Sequence, residues 1–137
     1  MDIAKKIADA CELKRAEKKW NPINIAIVDS GADLILFRRQ DGAFLGSIDI
    51  AIRKATSSAM IPRSTRKVGE LAYAKDGKLG PRPGVATVDF LVPFAGGLPI
   101  RTDKGHLIGA IGISGASSDQ DEECAQAAID SVRDLLK

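Results

Sequence analysis

The sequence predicts an α+β domain in which helices pack on an antiparallel sheet. Two pairs of short apolar strands are each joined by a tight turn rich in glycine and aspartate, a pattern typical of hairpins. Stretches with apolar residues at helical spacing lie before, between and after these hairpins, which gives the order α-β-β-α-α-β-β-α. The 137 residues suit a single domain, residues 1–137, with a core of its own.

The N-terminal third is predicted to form one helix and the first hairpin. Residues 2–19 carry apolar side chains at helical spacing, and Asn21-Pro22 stops the helix. Residues 23–29 form a near-continuous apolar strand, and residues 34–39 return as its partner. Strand alternation places Leu34, Leu36 and Arg38 on one face of the second strand.

The middle of the chain is predicted to be mainly helical. Residues 47–61 form the second long helix, which Pro62 ends, and residues 65–74 form a shorter one. Residues 75–86 contain Asp-Gly, Gly-Pro and Pro-Gly and are predicted to be an irregular loop. Residues 87–91 are interpreted as a short strand before the second hairpin.

The second hairpin and the last helix complete the predicted fold. Its first strand ends at Pro99-Ile-Arg101, residues 102–105 form the turn, and residues 107–114 form the return strand. Glycine weakens a strand, so Gly96-Gly97, Gly109 and Gly112 indicate either close helix packing or space for a ligand or second subunit. Ser118 is predicted to cap the last helix, with Asp121 at position N3.

Composition restricts the partners that we expect. A net charge of +2 and only six aromatic residues argue against a nucleic-acid-binding surface. No run of 18 apolar residues is present, so we expect no membrane partner. The charged N-terminal helix pattern differs from a signal peptide, and a cytoplasmic location is the resulting expectation.

Cysteine and histidine use indicates no metal site. Cys11 and Cys124 lie on separate helical patterns without metal-ligand spacing, and we predict that they are unlinked. A disulfide between them requires the two terminal helices to pack side by side. His106 is the only histidine, so no Cys/His cluster can hold a structural zinc ion.

Three segments together resemble the GlcG/HbpS family, which includes the C-terminal domain of PduO-type proteins. The first is IAIVDSGADLILFRRQDGA, residues 25–43, similar to the family's V-D-x-x-G-x-L-x-x-x-x-R-x-D-G-A hairpin, although with one residue fewer. The second is SIDIAIRKAT, residues 47–56, similar to A-x-x-K-A-x-T. The third combines GGLPI, GAIGISG and QDEECA, which begin at Gly96, Gly109 and Gln120.

The resemblance implies a profilin-like fold with a five-stranded antiparallel sheet and a homo-oligomer. It also implies a small-ligand-binding protein, because some relatives bind or degrade haem. Others lie among genes for small-molecule catabolism, which supports an enzyme or binding protein for a small anionic carboxylate metabolite as the alternative. In PduO-type domains a histidine ligates haem, whereas no family motif places a ligand at His106, and no haem ligand is carried over.

Five residues are predicted to form a ligand-binding site: Arg38, Asp41, Lys54, Gly96 and Gly97. Lys54, on a largely apolar helix segment, is predicted to bind an anionic ligand or to act as a catalytic base; the alternative is a structural ion pair with Asp29 or Asp41. Arg38 can bind a carboxylate of a ligand or of Asp41. The backbone of Gly96 and Gly97 can donate N–H groups to an anion. We expect Lys54, Arg38 and these glycines to meet in one cavity between the sheet and the second helix.

Overall fold

The computed structural model describes residues 1–137 as one four-stranded antiparallel sheet with helices on both faces. The regular elements are α1 (Asp2–Lys18), β1 (Asn24–Asp29), β2 (Leu34–Arg39), α2 (Ser47–Met60), α3 (Thr65–Ala72), β3 (Gly97–Arg101), β4 (Leu107–Ser114) and α4 (Ser118–Asp130). Two short 3-10 helices lie at Pro83–Thr87 and Arg133–Leu135. The strands lie in the order β2-β1-β4-β3, so the two hairpins are joined through β1 and β4.

Both predicted hairpins are present. In the first turn, the Asp29 carboxylate accepts hydrogen bonds from the backbone N–H groups of Gly31 and Asp33, at 2.9 and 3.0 Å. In the second turn, Gly105 has a φ of 85°, a left-handed conformation that glycine adopts without strain. The local turn chemistry therefore sets both hairpins as the sequence predicts.

The two faces of the sheet have different cores. On one face, isoleucines of β1 and β4, including Ile25, Ile111 and Ile113, pack against α1 and α4. On the other face, Ala26 and Ala110 of the same strands pack against alanines of α2. The small side chains of the second face bring the axis of α2 close to the sheet. None of the helices combines the length and the apolar character that crossing a membrane requires.

The expectation of a fifth strand at residues 87–91 is wrong. This segment begins as the end of a 3-10 helix and continues through turns. Its backbone is held by side chains of α2: Ser57 donates to the Phe90 carbonyl at 2.8 Å and accepts from the Val92 N–H at 2.9 Å. Because these groups already have partners, they need no neighbouring strand.

The prediction that Cys11 and Cys124 are unlinked is also wrong. Helices α1 and α4 lie side by side on the isoleucine face, where the two Cα atoms are 5.1 Å apart and the sulfur atoms are bonded. The bond joins residues 113 positions apart in the chain. The cysteine pattern therefore no longer supports the expected cytoplasmic location, because disulfides are typical of oxidising compartments.

Candidate functional site

Lys54 is a charged residue inside the domain. Its side chain is 1% exposed, although it begins on α2 and its ammonium group reaches the beginning of α4. The Nζ atom donates to the Ile113 carbonyl at 2.8 Å and to the Asp121 carboxylate at 3.1 Å. Lys54 therefore forms a buried ion pair with Asp121, and neither Asp29 nor Asp41 is its partner.

Glycines create the space that this lysine occupies. A Cβ atom at Gly96 would lie 2.4 Å from Lys54 Nζ, and Gly96 has a φ of 131° that favours glycine. A Cβ atom at Gly112 would lie 2.1 Å from the Ala51 carbonyl oxygen of α2. A Cβ atom at Gly97 would lie 2.5 Å from the Lys54 carbonyl oxygen. Of the two interpretations of these glycines, close packing is the one that their positions against α2 support.

Burial governs the titration of this pair. Removal from water lowers the pKa of Lys54, and the attraction of Asp121 partly offsets that effect. Burial likewise raises the pKa of Asp121, against the attraction of Lys54 and hydrogen bonds from Lys54 and the Ala116 N–H. Each charge has the other as its only charged partner, and both side chains are at least 97% buried. Removing one member would leave an uncompensated buried charge.

The cap of α4 lies one residue earlier than predicted. Ser117, rather than Ser118, accepts from the Gln120 N–H, and the Gln120 side chain accepts from the Ser117 N–H in return. This shift places Asp121 after the capping residues. Its carboxylate turns inward, where it accepts from Lys54 and from the Ala116 N–H at 3.1 Å. Sequence reasoning assigned Asp121 to capping and missed the ion pair.

Arg38 and Asp41 lie away from Lys54. The Arg38 guanidinium faces α1, where it pairs with Asp9 at 2.6 Å and Glu12 at 3.2 Å. The hydrogen bond that it donates to Asp9 is the main cause of its raised pKa. Asp41 is exposed in the turn after β2. The expected meeting of Arg38 with Lys54 does not form, because Arg38 extends to the α1 side of the sheet and Lys54 comes from α2 on the other.

A groove lies on the outer side of the Lys54–Asp121 pair. The ring of Phe94 lines this groove, and its centroid lies 5.1 Å from Lys54 Nζ. Phe94 is 43% exposed and Tyr73 is 50% exposed, and both line this opening of about 300 Å³, which we call the aromatic groove. Its charged lining residues are Arg66, Glu70, Lys75 and Asp119. Sequence reasoning missed this groove, because isolated aromatic residues in loops carry no spacing signal.

A second groove is strongly basic. It measures about 380 Å³ and lies where the start of α3, the edge strand β3 and the end of α4 meet. We call it the basic groove; its cationic lining residues are Arg63, Lys67, Arg101 and Arg133. His106 is exposed in the turn before β4 and lines neither groove.

Together these features define a small α+β domain with a buried ion pair and two open grooves. The chain belongs to the HbpS-like family, whose model, described as haem-degrading protein HbpS-like, matches residues 1–130. The match agrees with the resemblance found in the sequence motifs.

Three relatives illustrate the similarity. The chain is 33% identical over 132 residues to the uncharacterized 15.0 kDa protein of the dhaT–dhaS intergenic region of Citrobacter freundii, covering 96% of this chain and 90% of that protein. The structure of ORFY from Klebsiella pneumoniae superposes with a TM-score of 0.84 at 30% identity, covering 94% of this chain and 86% of ORFY. The crystal structure of a PduOC:haem complex gives a TM-score of 0.83 at 26% identity, with 96% and 92% coverage.

Proposed function

We propose that this protein binds a planar, carboxylate-bearing small molecule in the aromatic groove, and that haem is the first ligand to test. The observation that carries the proposal is the placing of two half-exposed aromatic rings, Tyr73 and Phe94, on one groove. Exposed aromatic rings suit a planar ligand, because stacking buries apolar area on both partners. The family's description and the haem complex of PduOC support the choice of haem.

The chemistry of the groove fits haem in three respects. A tyrosine phenol can ligate haem iron, and Tyr73 is the one phenol of the chain. Phe94 offers an apolar surface for the macrocycle. Arg66 and Lys75 can meet the propionate groups, although Arg66 already pairs with Asp119 and Glu122. When bound, haem would supply iron redox chemistry, while these residues would orient it and cover one face.

A haem titration followed by visible absorption tests this proposal. Tyr73→Phe keeps the ring and removes the phenol oxygen, so we expect the haem band to shift or weaken. His106→Ala is the matched control, because it removes the chain's only imidazole, which lies outside the groove. A spectrum altered by His106→Ala and unchanged by Tyr73→Phe would overturn the assignment. The absence of any saturable haem signal would overturn haem as the ligand.

The alternative is a binding protein or enzyme for a small carboxylate metabolite, with Lys54 as charge partner or proton-transfer group. A lysine with a lowered pKa directly behind Phe94 favours it, because such groups cluster at functional sites. Organic acids would then raise the melting temperature. Lys54→Met paired with Asp121→Asn removes both charges together. If this double variant binds every acid as well as the parent does, Lys54 is structural.

We also propose that the protein is a homo-oligomer. The edge of β2 supports this, because β2 is the outermost strand of the sheet and carries the half-exposed Leu34. At the other edge, Thr65 of α3 accepts from the Gly97 N–H at 2.9 Å and covers the start of β3. Sedimentation at micromolar concentration should show a species larger than 14.5 kDa. A monomer alone would contradict this proposal.

A further inference from the structure

We infer that the basic groove is a second binding site, for the phosphoryl group of a small phosphorylated molecule. It is separate from the aromatic groove, with which it shares no lining residue. Four cationic side chains from three parts of the fold line this opening of about 380 Å³. Arg63 lies just before α3 and Lys67 within it, Arg101 lies in β3, and Arg133 begins the 3-10 helix after α4. These segments are distant in the sequence, so it is the tertiary fold that brings their like charges together.

The positive charge of the groove is largely uncompensated. Arg133 pairs with Asp130 at 3.0 Å, and the same carboxylate accepts from Gln126 at 2.9 Å. Arg63 and Lys67 form no ion pair, in contrast to Arg38 and Arg66, each of which pairs with two carboxylates. Of the four cations that line the groove, only Arg133 therefore forms an ion pair. Like charges gathered on one groove repel each other, and an anionic ligand relieves that repulsion.

Arg101 is held ready within the groove. Its guanidinium donates to the Gly105 carbonyl at 2.9 Å and to the Pro62 carbonyl at 3.0 Å. Carbonyl oxygens orient the guanidinium without neutralising its charge. An arginine fixed in this way loses less rotamer freedom when it binds an oxyanion.

The charge and the lining favour a phosphate ester over a simple carboxylate. A phosphate monoester carries about −1.5 to −2 charges at pH 7 and three acceptor oxygens, which matches several cations better than one carboxylate does. Leu98, Pro99 and Ile129 add apolar surface for the remainder of such a molecule. The net charge of only +2 for the whole chain argues that this basic character is local.

The test titrates the full chain with inorganic phosphate, glycerol 3-phosphate or succinate at constant ionic strength. Amide chemical shifts measure the binding. We expect saturable shifts around residues 62–67, 98–101 and 126–133 with both phosphates, and weakening with added salt. Arg63→Ser with Lys67→Ser should weaken binding at least about tenfold, a loss of about 1.4 kcal/mol. Lys5→Ser with Lys6→Ser removes two exposed cations from α1 and is the matched control.

Each outcome decides the inference. Binding of glycerol 3-phosphate in preference to inorganic phosphate would identify an ester as the ligand class, and the reverse would identify free phosphate; both support a phosphoryl site. Equal affinity for succinate would overturn the choice of phosphate. Equal weakening by both double variants, or no saturable shift, would overturn the site. Haem binding is measured separately with the same variants, so a failure of the aromatic groove is distinguishable from a failure here.

Discussion

The two faces of the sheet are built from the same strands by different means. On the α1–α4 face, sixteen buried residues, dominated by isoleucine, form a thick apolar layer that a disulfide crosses. On the α2 face only six buried residues form the cluster, most of them alanine, and Gly112 brings the two backbones into contact. The first face gains stability from buried apolar area, whereas the second depends on close fit and on one buried ion pair.

The two faces should therefore differ in the substitutions that they tolerate. A thick layer of branched aliphatic side chains can adjust to a small change in volume, because neighbouring rotamers shift. A layer in which a strand glycine touches a helix carbonyl has no side chain that can move aside. Lys54 connects the two layers, since it begins on α2 and ends at Asp121 of α4.

Lys54→Met should have the largest effect, a loss of about 3–5 kcal/mol in the free energy of unfolding, because Asp121 would stay buried without its partner. Chemical denaturation measures this loss. Adding Asp121→Asn removes the remaining charge and keeps an acceptor for the Ala116 N–H, so the double variant should be more stable than the single one. A single variant as stable as the parent would show that water reaches the pair.

Removing the disulfide should cost the α1–α4 face about 2–4 kcal/mol, because the bond closes a loop with a sequence separation of 113. The variant Cys11→Ala with Cys124→Ala tests this, and the reduced parent protein is its control. Intact mass should first show two hydrogens fewer than the reduced chain. Equal stability of the oxidised and reduced protein would contradict the prediction.

Gly112→Val should cost about 3 kcal/mol, the upper end of the usual overpacking range, because its Cβ atom would meet the Ala51 carbonyl oxygen. Thermal or chemical denaturation, together with sedimentation, measures the effect. Gly84→Val is the control, because a Cβ atom at Gly84 meets nothing within 4 Å, and we expect a change within about 0.5 kcal/mol. Similar costs at both glycines would refute the close contact of α2.

The pH dependence of stability should be the smallest effect, at most about 1.4 kcal/mol per pH unit. The raised pKa of Asp121 means that, just above 3.8, the folded chain holds a proton that the unfolded chain has released, so stability falls as pH rises. The lowered pKa of Lys54 means that, just below 10.5, the unfolded chain holds the additional proton, so stability rises with pH. The variant with Lys54→Met and Asp121→Asn has neither titrating group and should lack both slopes. Identical plots of stability against pH for this variant and the parent would contradict the assignment.

Local chemistry was predictable wherever neighbouring residues decide the conformation. The turn at Asp29–Asp33, the turn closed by Gly105 and the end of α2 before Pro62 depend on backbone conformation and short-range hydrogen bonds, and the structure has them where the sequence placed them. Short apolar runs bounded by turn residues likewise identified the strands of both hairpins. Four strands and the surrounding helices follow from such signals, and the family motifs agree with them.

Only the tertiary structure decided which distant residues meet. Lys54 pairs with Asp121, Arg38 pairs with Asp9 and Glu12, and Cys11 is bonded to Cys124. Each of these contacts depends on which helices lie on which face of the sheet. The same holds for the two grooves, whose lining residues come from separate elements. Spacing along the chain does not predict contacts between distant residues. A buried charge or a basic cluster is defined by burial and proximity, and these exist only once the helices have packed on the sheet.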